Sequence, residues 1–459
     1  MAPLQLPPET RPTREHFVPA TSRSQRDLNL RHERPAVGVE KHPELRRVRL
    51  ALAGCGVVGG GLVRLLNEKA PAIASRFGVR FEITAILVRD VSRDRRLPID
   101  PRLLTYDVDE FLSRDADVVV EAVGGDEPAR SIAAHALKSG RKLITANKDL
   151  IASHGSVLAA IADANDAGLD FGAAVGGSVP IIAALRDVVG ASTPLSVRGI
   201  LNGTSNYVLS EIEQGRSFGA ALEAARCCGF AESDCSKDLD GRDAAAKLKI
   251  IAWVAFGVDP NALDLRRIPL PADPARLVRA ASIAGGRLRV ISECAQLSGD
   301  RISATVEPTI VPLDSGLGQT NREENKVEID LGWGAPLTLS GAGAGANPTA
   351  TALLADLVGS PRPRNGRGTA AIPFVSVADE RRHRWLISAV TPLDRLRAAA
   401  IGAGISVERE LPGTTDGLII TRAASWHELE ALIAALDGIG AAPAFARCEL
   451  GFACAEEHR

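Results

Sequence analysis

Aromatic side chains are scarce, at 4% of the 459 residues, with two tyrosines, four tryptophans and eleven phenylalanines. So few rings provide no stacking platform for single-stranded nucleic acid. An excess of positive charge is missing as well. Lys and Arg total 54 against 56 Asp and Glu, for a formal net charge of −2, and phosphate backbones are bound through a basic surplus. No apolar run reaches about 18 residues without a charge, so no membrane span is expected. The seven cysteines, Cys55, Cys227, Cys228, Cys235, Cys294, Cys448 and Cys454, are odd in number and irregularly spaced, which is no disulfide framework. Cys227 and Cys228 are adjacent and cannot act as a CxxC pair. The eight histidines do not cluster with the cysteines, so no zinc site is expected. A reducing, cytoplasmic setting fits this usage.

What is present is ordinary for a globular chain: 45% hydrophobic and 24% charged residues, over a length that suggests two or three domains. Residues 1–46 are rich in proline and in charges of both signs, including Glu9, Glu15, Asp27, Glu33, Glu40 and Glu44. They lack the apolar core of a signal peptide, and their acids argue against a transit peptide. They read as a disordered extension. From residue 47 onward strands and helices alternate: strands near 48–53, 81–88, 116–123 and 142–146, helices near 57–69 and 127–139. That alternation predicts an α/β, Rossmann-like, doubly wound domain. Residues 150–380 are less regular, with strands expected near 169–175, 196–201, 287–293, 301–306 and 337–339 and helices near 218–228 and 242–256. This is a mixed α+β domain. A Pro-, Arg- and Gly-rich linker spans 360–373. The tail from residue 383 reads strand, helix, strand, strand, helix, strand, the order of a ferredoxin-like module.

Five segments carry chemistry. Gly54-Cys55-Gly56-Val57-Val58-Gly59 follows a strand and opens a helix. In that setting Gly54 allows the turn, Gly56 lets a pyrophosphate approach the backbone, and Gly59 lets helix and strand pack. The helix start, with Val57 and Val58, then faces the phosphates. The second strand ends Leu87-Val88-Arg89-Asp90. Arg89, with Arg93, Arg95 and Arg96, suits a ribose 2′-phosphate and so NADP, while Asp90 suits the hydroxyls of NAD; a solvated basic loop is the bland alternative. Asn202-Gly203-Thr204-Ser205-Asn206-Tyr207 either binds an amino-acid substrate or caps a helix. The densest cluster runs from Gly229 to Lys247 and includes Glu232, Asp238 and Asp243. Asp243 and Lys247 are four apart on one helix face, a spacing that more often marks a surface ion pair. The alanines between them and the apolar residues that follow imply a partly buried helix, where a lysine can donate a proton to a carbonyl. A second glycine-rich loop, Gly341-Ala342-Gly343-Ala344-Gly345, either approaches a cofactor or serves tight packing.

In this order the segments resemble the homoserine dehydrogenase family over roughly residues 48–359. Ala146-Asn147-Lys148 resembles the family's Asn-Lys motif, and Val175-Gly176-Gly177-Ser178-Val179-Pro180 its glycine-rich turn. The resemblance implies NAD(P)H-dependent reduction of L-aspartate-4-semialdehyde to L-homoserine, in threonine, methionine and isoleucine biosynthesis. It implies Lys247 as proton donor beside Asp243, with Glu232, Asp238, Asp243 and Lys148 binding substrate. Gly54, Gly56, Val57, Val58, Gly59, Arg89, Lys148, Gly229 and Gly345 would hold the cofactor.

Three departures matter. Cys235 stands where the signature usually has proline. Gly172 stands where the family often has a glutamate that helps ligate a monovalent cation, commonly sodium, leaving the carbonyls of Val175, Gly177 and Val179. The tail resembles an ACT regulatory domain, but its first loop, residues 389–394, lacks the usual glycine. The expected organisation is an extension over 1–46, a cofactor domain over 47–172, a substrate and dimerisation domain over 173–360 and an ACT-like domain over 383–454, assembled as a homodimer or homotetramer. Two other readings stand beside it: a sensor of this fold without turnover, and an NAD(P)-linked enzyme acting on another amino-acid-like substrate.

Overall fold

The computed structural model describes residues 45–189, 192–231, 234–359, 374–411 and 416–451. Most of the N-terminal extension, the 360–373 linker and Glu232 lie outside them.

The first half forms a six-stranded sheet from β1 (Arg46–Ala53), β2 (Val79–Leu87), β3 (Leu104–Thr105), β4 (Val118–Glu121), β5 (Lys142–Thr145) and β6 (Leu169–Asp170). Its order is β3-β2-β1-β4-β5-β6 and every pairing is parallel. This is the doubly wound dinucleotide-binding order. A parallel sheet is buried on both faces, so its central strands carry continuous apolar runs; all four residues of β4 are buried. Helices Ala129–Lys138 and Lys148–Ala164 contribute Ile132, Leu137, Leu150 and Leu158 to one core. Helices Val57–Phe77 and Ala346–Val358 contribute Leu62, Val63, Ala350 and Leu353 to the other. The helix from Val57 therefore runs past its expected end at 69, through Pro71, to a left-handed Gly78. Ile73, buried beyond the proline, holds the last turns down. The expected 169–175 strand is shorter, because Gly172–Ala174 turns into a 3-10 helix.

The second sheet has eleven strands. They are β7 (Ser196–Ile200), β8 (Leu265–Arg267), β9 (Gly286–Gln296), β10 (Arg301–Pro312), β11 (Glu324–Asp330), β12 (Leu337–Ala342), β13 (Val375–Ser376), β14 (Trp385–Ala389), β15 (Val407–Glu410), β16 (Gly417–Thr421) and β17 (Ala444–Cys448). The main path is β12-β11-β7-β9-β10-β17-β14-β16-β15. β9 covers one edge of β10 along its whole length. The other edge takes three strands in succession: β13 at Arg301, β8 at Ala304 and β17 at Thr309. The βαββαβ tail predicted from residue 383 is thus present, and its last strand is continuous with the central sheet.

Charged side chains reinforce that junction. Glu293 on β9 meets Arg447 of β17 at 2.8 Å and Arg381 at 2.9 Å. Arg198 on β7 meets Glu449 at 2.7 Å. Asp379 accepts from Arg381 and His383. Burial opposes ionisation of Glu293, but Arg447, Arg381 and Arg198 outweigh it and hold its carboxyl down at about 2.

Candidate active site

The site lies at the carboxyl end of the parallel sheet, where such folds bind ligands. Asn147, just past β5, caps the next helix through its side-chain oxygen, which accepts from Leu150 N at 3.1 Å. Its amide donates to Gly125 O at 2.7 Å. This cap sets Lys148 at the first helical position, where its side chain lines the cavity described below.

Asn202, just past β7, does the same for helix Gly203–Glu213, accepting from Ser205 N at 2.7 Å. A Cβ at Gly203 would come within 2.6 Å of Glu323 O, so that start must be glycine. Helix capping and site formation, which the sequence left as alternatives for this segment, are one arrangement. The Asn202 amide donates outward to Asp238 Oδ1 at 2.7 Å and Asp243 Oδ2 at 2.8 Å.

Gly241, in the left-handed region at φ 81°, starts helix Arg242–Phe256 and puts Asp243 in its first turn, where the helix dipole favours an anion. Lys247 follows one turn later and is buried. Its ammonium donates to Asp243 Oδ2 and to Leu201 O, each at 2.7 Å. Lys148 Nζ reaches Asp243 Oδ1 at 3.3 Å. The Asp243–Lys247 spacing is therefore a buried pair and not a surface one.

The electrostatics follow from this geometry. Burial penalises the Asp243 carboxylate, yet Lys247, Lys148 and the Asn202 amide hold it at about 2. Asp238 is shifted the other way: burial and the nearby Asp243 raise it, against the Asn202 hydrogen bond. Burial disfavours charge on Lys148, but Asp243 and Asp149 more than compensate and raise it above an ordinary lysine. An ammonium has three N–H donors; two on Lys247 are engaged by protein among the described residues, and one remains for a substrate oxygen.

These groups line a cavity of about 810 Å³ with Gly229, Phe230, Cys228, Lys237, Glu323 and Gly345. Its wall carries both signs of charge, which suits a zwitterionic amino acid. The structure thus brings together Lys148, Gly229, Asp238, Asp243, Lys247 and Gly345, drawn from segments up to 197 residues apart. Asn202, from the segment read as substrate-binding or capping, joins them, and so does Glu323, which the sequence alone does not single out.

A second cavity, of about 710 Å³, is lined by Gly54, Gly56, Arg89, Asp90, Arg93, Arg95 and Tyr106. A Cβ on Gly54 (φ 95°) would meet Ala122 O at 2.5 Å, and one on Gly59 would meet Gly54 O at 1.9 Å, whereas Gly56 faces open space. Two glycines are required for packing and the third leaves the backbone approachable, so the loop fits a dinucleotide. Val57 is exposed at the helix start, Val58 is half-buried beside it, and neither they nor Gly59 line the cavity. Asp90 accepts from Ser92 Oγ at 2.6 Å and Ser92 N at 2.9 Å; Arg89 and Arg93 have no side-chain partner among the described residues.

Val175 and Val179 are buried, and Gly177 adopts φ 55°. Beside them, Asp356 occupies the space above Gly172. A Cβ there would fall 2.8 Å from its Oδ1. Its Oδ2 is buried without a hydrogen-bond partner. Nothing in the sequence relates positions 172 and 356.

Among the described residues no helix is long and apolar enough to cross a membrane. The family model described as "Homoserine dehydrogenase, NAD binding domain" matches residues 54–171, and that described as "Homoserine dehydrogenase" matches 180–358. The homoserine dehydrogenase of Corynebacterium glutamicum is 36% identical over 70% of this chain and 74% of its own length. That of Mycobacterium tuberculosis is 38% identical over 69% and 73%. A crystal structure of a homoserine dehydrogenase from Thiobacillus denitrificans superposes with TM-score 0.78 at 29% identity, covering 88% of this chain and 98% of that one. Sequence, fold and site converge: the chain belongs to the homoserine dehydrogenase family, NAD(P)-dependent oxidoreductases acting on a CH–OH group.

Proposed function

We propose that Lys247 is the proton donor in the reduction of L-aspartate-4-semialdehyde to L-homoserine, and that Asp243 holds it in place. The observation that carries this reading is the uncommitted third N–H of a buried lysine whose other two donors are fixed. When bound, NAD(P)H supplies the hydride. Lys247 gives its proton to the forming alkoxide and takes it back in the reverse direction. Lys148 adds positive charge near the oxygen. Asp243 spends both oxygens on protein donors, so it organises both lysines. Asp238 has one oxygen engaged by Asn202 and the other available for the substrate ammonium. Glu232 joins it by the family resemblance. Gly229 and Gly345 give the nicotinamide a backbone-only approach.

The cofactor is NADP, used at least as well as NAD. Asp90 is satisfied by Ser92, and Arg89 and Arg93 are free to meet a 2′-phosphate. Homoserine-dependent reduction of NAD and NADP, followed side by side, tests both substrate and cofactor. Arg89→Ala should raise the NADP KM more than the NAD KM; an equal effect, or a clear NAD preference in the parent, would reject the assignment. By the family resemblance the carbonyls of Val175, Gly177 and Val179 would hold a monovalent cation such as sodium, and the unpartnered Asp356 Oδ2 beside Gly172 supports an acid standing in for the family glutamate. The functional division runs as 47–172 for cofactor, 173–360 for substrate and assembly, and 383–454 as an ACT-like module. A homodimer or homotetramer is supported by the edge strand β12, where Leu337 is exposed near Trp333 and Leu195.

A further inference from the structure

β11 turns Asn325, Val327 and Ile329 inward. Val327 and Ile329 are fully buried, as an alternating strand requires. Asn325 is equally buried, at 0% exposure, on a face where an apolar residue would pack without polar demands. Its amide nitrogen donates to Leu201 O at 3.3 Å, and its oxygen has no partner. Leu201 O is the same carbonyl that accepts from Lys247 Nζ at 2.7 Å. On its other side the Asn325 amide lies against Gly343: a Cβ there would overlap its Cγ and Nδ2 at 2.1 Å. Gly343 belongs to the loop that brings Ala344 and Gly345 into the cavity.

We infer that Asn325 is a positioning residue that divides the Leu201 carbonyl between itself and Lys247 and keys the Gly343–Gly345 loop to the catalytic strand. The inference rests on the proton-donor role of Lys247. The Leu201 carbonyl has two lone pairs. With Asn325 on one of them, less of its acceptor strength is left for the ammonium. Around Lys247 the charged groups are Asp243 in direct contact, Lys148 on the other oxygen of Asp243, and Asp238 behind the Asn202 amide; Asn325 is a neutral neighbour that reaches Lys247 only through the Leu201 carbonyl. It also explains why position 343 is glycine.

Homoserine oxidation needs the neutral amine, so its rate rises with pH. Asn325→Ala removes the competing donor, strengthens the Leu201 acceptor for the ammonium, and should move this rise to higher pH. Asn325→Asp keeps the shape and adds an anion, and should move it further in the same direction. Because a small misplacement of reacting groups is costly, kcat near neutral pH should drop by about tenfold to a hundredfold, with the NADP KM nearly unchanged. In a Lys247→Ala background the same substitutions should have little additional effect on kcat. An unchanged pH profile in a folded Asn325→Asp protein overturns the inference, as does an undiminished effect in the Lys247→Ala background. A parent that does not oxidise homoserine overturns the underlying reading instead, so the two failures are distinct.

Discussion

A buried carboxylate that accepts from two lysines and an amide has little tendency to take up a proton. Asp243 is held at about 2, below the unfolded value near 3.9. Its contribution to stability is therefore present above about pH 4 and lost as pH falls toward 2. It stays ionised wherever the enzyme works, so no limb of a neutral pH–rate profile belongs to it. Asp243→Asn takes away the anion beside Lys247. We expect kcat/KM for homoserine to fall by at least about tenfold, and the rise of oxidation rate with pH to move lower, since the ammonium loses its partner. Kinetics from pH 6 to 10 check both; a profile displaced upward would contradict the charge assignment. Much of this site was legible from spacing and resemblance: Asp243 and Lys247 share a helix face, and Gly229 to Lys247 is a dense local segment. Asn325 and Asp356 were not legible. Each is a single polar residue in an ordinary strand or helix, and each gains meaning only from a partner brought close by the fold.

At the scale of elements, local signals served the parallel sheet well. The glycine fingerprint, the Val118-Val119-Val120 run and the strand–helix alternation are short-range features. The eleven-stranded sheet was harder, because β10 recruits β13, β8 and β17 across large sequence separations. Periodicity shows that β17 is a strand but not what it pairs with. The charge network at this junction leads to a prediction. Glu293 is buried and pairs with the partly buried Arg447 and Arg381, and removing one member of a buried ion pair costs up to about 3–5 kcal/mol. Its carboxyl is held down at about 2, so its stabilisation is present above the unfolded glutamate value near 4.3 and disappears as pH falls through 2. Glu293→Gln should be clearly less stable to urea at pH 7, with the difference narrowing at pH 3. A constant difference across that range would mean that the loss is one of packing alone.

For the whole molecule, the tail is built into the catalytic sheet. β17 pairs with β10, and Glu449 reaches Arg198 on the strand that ends at Leu201 and Asn202. The loop after β14 is closed against β16, with Gly417 N donating to Thr391 O at 2.8 Å. We therefore expect deletion from residue 383 onward to yield an unstable, inactive protein, and calorimetry on the full chain to find weak or no threonine binding. An active truncated enzyme, or tight threonine binding that the deletion abolishes, would show a detachable regulatory module instead. On the proposed reading the division of labour lies between the two sheets: the parallel sheet would hold the cofactor, and the helix from Arg242 would bring the proton donor. Lys247→Ala separates these roles most directly. Steady-state kinetics in both directions, with NADP affinity measured independently, should show kcat reduced by about 10²–10⁴, no rescue by Lys247→Arg because guanidinium does not release its proton, and nearly parental NADP binding. A folded Lys247→Ala enzyme with near-parental kcat would contradict the account and make Lys148 the proton donor to test.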